Sequence, residues 1–193
     1  MSRPALSSGV FSELSAVTRR RLEQLARTRL LSEGEALFDV GDEVTVSALV
    51  ERGVMREVYV DANGEERTRG FSFEGDFAGA WSDVLANRPS RTRVEALTEV
   101  KVRLYSVKAL RELEAAEPEL QRALRRVAEQ LYVRKSDREF ELLTMDAAER
   151  YAALLKAAPD IEERVQLRHI ASYVGITPVH LSRLRRRPRS RGA

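Results

Sequence analysis

The residues with the clearest capacity for chemistry lie at the C-terminal end of this 193-residue chain. From Arg164 onward there is no Asp or Glu, while Arg164, Arg168, Arg183, Arg185, Arg186, Arg187, Arg189 and Arg191 all carry positive charge. That stretch holds +8, and a whole-chain formal charge of +3 leaves −5 for the rest. A strongly basic end on a mildly acidic body points to a polyanion as partner. A solvated basic tail is the alternative.

Spacing within the same segment narrows the choice. Leu167, Ile170, Ala171 and Val174 fall on one face of a helix over 166–174. Gly175 stands where a left-handed residue ends a helix. Ile176 is expected to be buried in the turn. Thr177 suits the N-cap, and Pro178 suits the first helical position, where no backbone N–H is needed. A second helix then runs over 179–187, with Leu181 and Leu184 inward. The small Ala171 lets the two helices approach closely. Two helices crossing steeply at a glycine corner make a DNA-reading helix-turn-helix. On that reading Val179, His180, Ser182 and Arg183 face the duplex. Arg183 is placed for a bidentate contact to guanine, Val179 for a thymine methyl, and His180 or Ser182 for a base or phosphate. Arg185, Arg186 and Arg187 reach phosphates, and Arg168 and Thr177 belong to the same candidate surface. A plain helical hairpin with basic ends is the alternative.

Composition removes several other classes. The chain has no Cys, which excludes disulfides, Cys-held iron–sulfur clusters and thiol catalysis. With 43% hydrophobic and 33% charged residues it reads as globular rather than disordered. No stretch approaches the roughly 18 apolar residues of a membrane span. The first ten residues lack a secretory-signal pattern, so a cytoplasmic location is expected. The only two histidines, His169 and His180, both lie in the helical end. No His is left elsewhere to hold a metal, which argues against a metal-dependent, cupin-like enzyme.

The elements that must carry the basic end change texture twice. Residues 1–9 look like a loose leader. Leu14, Val17, Leu22, Leu25 and Leu30 then follow near-helical spacing. The runs 36–40, 44–51, 54–60, 67–73, 93–96 and 100–105 are short, often alternating and separated by turn residues. Asn63 and Gly64 between two of them signal a hairpin. This pattern predicts an antiparallel sandwich or jelly roll. A short helix is predicted over 107–114, and Pro118 opens a much longer one. Leu124, Val127, Leu131, Phe140 and Leu143 form its narrow apolar stripe, the kind that pairs with a second copy. The alternative is that the stripe covers its own β domain, and residues 135–138 interrupt it. A further helix over 147–158 ends before Pro159, and 159–164 reads as a connector. The expected class is α+β: a β-roll with an N-terminal helix over 1–117, a dimerisation helix over 118–145 and a helix-turn-helix unit over 146–193.

The layout resembles the Crp/Fnr family of bacterial regulators. Residues 38–42, 53–59, Asn63 with Gly64, and 73–77 resemble the family's β-roll turns, and 170–183 resemble its DNA-reading unit. The resemblance runs from about Leu14 to Arg187. It implies a cyclic-nucleotide-binding-like roll, a homodimer on a palindromic operator with half-sites one helical turn apart, no catalysis, and RNA polymerase as a further partner. Nucleotide-binding members carry a Gly-Glu-Leu and a later Arg-Ser or Arg-Thr. Here those places hold Gly75, Asp76 and Phe77, then Ser90, Arg91 and Thr92. By resemblance, Asp76 accepts from a ribose hydroxyl and Arg91 reaches a phosphate. The family's base-facing Thr-Ser pair is replaced by Lys135 and Ser136, where a lysine crowds a purine. A cyclic nucleotide is thus the candidate ligand, and a degenerate pocket kept for folding is the alternative. After Pro188 the sequence is too short for the family's β-wing, and a flexible tail is expected. A small-molecule-binding module without a DNA role is the rival to the whole reading.

Overall fold

A computed structural model describes residues 11–186; the leader, Arg187 and the expected wingless tail lie outside the described residues. Eight strands form two four-stranded antiparallel sheets. The first has the order β1 (Arg27–Leu31), β8 (Val100–Ser106), β3 (Val46–Arg52) and β6 (Phe77–Ala78). The second has the order β2 (Ala36–Phe38), β7 (Arg93–Ala96), β4 (Met55–Val60) and β5 (Glu66–Ser72). Inward residues of both, among them Leu31, Val50, Met55, Val94 and Val102, share one core. This is the expected β-roll. The β4–β5 hairpin closes with Asp61 N–H donating to the Glu65 carbonyl at 3.0 Å, and Gly64 supplies a φ of +80°.

The N-terminal helical pattern is shorter than its periodicity implies. Helix α1 (Ala16–Leu25) stops before Arg27, and Leu30 belongs to β1. Leu30 is exposed and Leu31 is buried, a strand alternation fixed by pairing with β8. Helix spacing and strand alternation coincide over so few residues. Strand β6, only two residues long, was also outside the expected set.

A short helix, α2 (Trp81–Leu85), crosses between β6 and β7. Helix α3 (Val107–Ala116) begins at Ser106, whose hydroxyl accepts from Ala109 N–H. Helix α4 (Pro118–Thr144) then runs unbroken for 27 residues. Its apolar stripe has two destinations. Leu120, Ala123 and Val127 are buried against Leu14, Leu22, Tyr105 and Leu110 of the protein's own body. Tyr132, Phe140 and Leu143 are exposed. The polar interruption links elements: Arg134 meets Asp76 at 2.8 Å, and the Arg138 guanidinium lies 3.9 Å over the Tyr173 ring.

The helical end comprises α5 (Ala147–Ala157), α6 (Ile161–Arg164), α7 (Leu167–Val174) and α8 (Pro178–Arg186). Helix α6 lies where only a connector was expected. Tyr151, Leu154, Ile161, Ile170, Ala171, Val174 and Leu181 form its core, together with Val54, Phe71 and Leu97 from the roll. The α7 helix therefore sits directly on the second sheet, with Phe71 and Tyr173 rings 5.3 Å apart.

Candidate nucleic-acid interface

Backbone chemistry makes the α7–α8 corner. Gly175 has φ +84° and donates to the Ala171 and Ser172 carbonyls at 2.9 and 3.2 Å. Ile176 N–H returns to the Ala171 carbonyl at 3.0 Å. A Cβ at Gly175 would meet no backbone, so its conformation rather than space selects glycine. Thr177 caps α8 by accepting from His180 N–H at 3.2 Å.

Burial then separates the two faces of α8. Leu181 is completely buried, Ile176 is half-buried against the helical core, and Leu184 is half-buried. Val179, His180, Arg183 and Arg186 are exposed, Thr177 is exposed at the helix start, and Ser182 is half-buried. Among the described residues the expected reading face is thus largely open. Arg185 is exposed but paired with Glu162 of α6 at 2.7 Å. Arg168 belongs to α7 and lies apart from this face, its Nε 3.2 Å from His169 Nε2 at the seam with the roll.

That seam carries charged residues that spacing alone did not single out. Arg56 on β4 is 2% exposed. Its Nε donates to Glu95 at 2.9 Å, its Nη2 pairs with Glu66 and Glu95, and its Nη1 lies 2.7 Å from His169 Nδ1. Beside it, Thr68 N–H donates to Ser172 Oγ at 2.9 Å. His169 is buried. Its pKa is pushed down to about 4, first by burial and then by Arg56 and Arg168, against the opposing pull of Glu66. The available sequence signal was opposite charges in two strand-like runs: Arg56 and Glu95 are direct cross-strand partners.

The candidate effector residues are placed less uniformly. Asp76 is buried, accepting from Arg134 and, at 3.1 Å, from Phe73 N–H. Gly75 N–H donates to the Val50 carbonyl. Ser90 Oγ donates to the Thr92 carbonyl at 2.6 Å. Arg91 donates through N and Nε to Asp83 at 3.0 and 3.1 Å. Phe77 packs edge-on to Phe11. Asp76, Ser90 and Arg91 thus meet the protein's own groups in this structure. Lys135 borders a cavity, and Ser136 is exposed. No helix among the described residues is long and apolar enough to cross a membrane.

No family model matches the chain. It is 26% identical over 173 residues to an anaerobic regulatory protein of Aggregatibacter actinomycetemcomitans, which covers 83% of this chain and 66% of that protein's length. The structure is similar to FixK2 of Bradyrhizobium japonicum, with a TM-score of 0.72, 21% identity and 82% of each chain covered. It is also similar to a Crp/Fnr-family regulator structure from Eubacterium rectale, with a TM-score of 0.71, 14% identity, and 91% and 83% of the two chains covered. At these identities the two structural likenesses show the fold. In sequence and in fold the chain is therefore similar to regulators of the Crp/Fnr type.

Proposed function

We propose that the protein is a homodimeric, cytoplasmic regulator that reads a palindromic DNA operator through α8 and catalyses no reaction. The observation that carries this reading is the open face of α8, where Val179, His180 and Arg183 stand exposed while Leu181 anchors the helix from behind. Arg183 supplies base discrimination, and Arg185, Arg186 and Arg187 supply phosphate contacts. The division that fits is a roll over 1–117, a dimerisation helix over 118–145 and a DNA-reading unit over 146–193. The exposed Tyr132, Phe140 and Leu143 on α4 suit pairing with a second copy. An altered effector pocket and a contact with RNA polymerase complete the proposal.

Site selection from random duplexes, followed by binding titrations at several salt concentrations, tests it. A two-fold symmetric site and an affinity falling steeply with salt are expected. A pure dimer that ignores DNA at low salt would overturn the reading in favour of a binding module with no DNA role.

A further inference from the structure

A cavity of about 790 Å³ opens between β3, β6, α2, α3 and α4. This is within the size range of small-molecule sites. Its walls are mostly apolar, formed by Phe77, Trp81, Leu85, Leu110, Leu124 and Leu131 among others. It overlaps the expected nucleotide cassette only in part. Of the eight candidate effector residues only Phe77 and Lys135 line it; Gly75, Asp76, Ser90, Arg91, Thr92 and Ser136 do not.

The charges around this chamber are unequal: five lining side chains are basic and two are acidic. Lys135 is one of the basic ones. The carboxylates nearest to it are already engaged, Glu57 by Arg69 and Asp83 by Arg88 and Arg91. Lys135 itself forms no ion pair among the described residues. Lys135 is exposed to solvent, and desolvation on the chamber side still lowers its pKa. A mostly apolar chamber with an excess of basic lining side chains and a lysine outside any ion pair complements a molecule with an apolar body and one negative group.

We propose that this chamber binds an aliphatic carboxylate of medium or long chain, with its headgroup on Lys135 and its chain along Trp81, Leu85 and Leu124. The proposal does not depend on DNA binding. Trp81 is the only tryptophan in the chain, so its emission reports directly on the site. Dodecanoate, titrated into the full-length protein below its micellar concentration, is expected to shift that emission saturably. Lys135→Gln should weaken dodecanoate about tenfold and leave the uncharged dodecanol unchanged, since only the charge-assisted contact is lost. Ala128→Phe, at an exposed α4 position lining the chamber, should weaken both probes. Absence of a saturable shift, equal dodecanoate affinity in Lys135→Gln, or displacement of dodecanoate by cyclic AMP would each overturn the proposal.

Discussion

Arg56 on the β-roll and His169 on α7 lie 2.7 Å apart, guanidinium Nη1 to imidazole Nδ1, and both are buried. A guanidinium can only donate, so Nδ1 is the accepting nitrogen and the imidazole is neutral. Arg168 faces the other ring nitrogen. A protonated His169 would therefore sit between two cations, with Glu66 and Glu95 across Arg56 as the nearby anions.

Stability should consequently decline with acid. The His169 pKa is about 4 in the folded protein against an ordinary 6.5. Between those values the unfolded chain binds a proton that the folded chain refuses, so this contribution is complete above pH 6.5 and is lost as pH falls toward 4. His169→Gln keeps an acceptor for Arg56 without titrating. Urea unfolding from pH 7 to pH 4.5 should show the unmodified protein losing ~2 kcal/mol more than this variant. Parallel pH profiles would show that His169 does not titrate as described.

Removing the arginine should be more damaging than removing the histidine. Arg56→Met leaves Glu95, whose side chain is 10% exposed, with Arg93 at 3.3 Å in place of the Arg56 contact. Breaking a buried pair from one side costs about 3–5 kcal/mol. Because the roll and the helical end share Val54, Phe71 and Leu97 in one core, both should loosen together. Hydrogen exchange should rise in β4, β7 and α7 at once, and a change confined to the roll would contradict a shared unit.

Arg183→Ala should retain the folded dimer and lose base preference, by about 1–3 kcal/mol at one operator position. Competition between operator and mutated duplexes measures this. Glu162→Gln should act in the opposite sense. Releasing Arg185 from its 2.7 Å ion pair adds a free guanidinium near α8, which should strengthen binding to all duplexes and steepen the salt dependence. Unchanged salt slopes would place Arg185 away from the DNA.

Leu143→Glu tests the second half of α4. Leu143 is 78% exposed in the protomer, so the substitution should leave protomer stability within about 0.5 kcal/mol. In a dimer paired through α4 it would bury a charge, and sedimentation should show monomers at micromolar concentration. A persistent dimer would move the interface elsewhere.

Much of the architecture was legible in the sequence because short-range rules govern it. Alternation with Asn63 and Gly64 marked the β4–β5 hairpin. The run of Ala171, Gly175, Thr177 and Pro178 marked the α7–α8 corner, since capping and left-handed backbone are properties of a few adjacent residues. Tertiary structure alone decided matters of register and contact between distant segments. It assigned Leu30 to a strand through pairing with β8 and divided the α4 stripe between the protein's own body and an open face. It also joined Arg56 to Glu95 and His169, residues 39 and 113 positions away. Periodicity tells which way a side chain points along its own element. What lies opposite depends on how separate elements dock, and no local pattern encodes that distance.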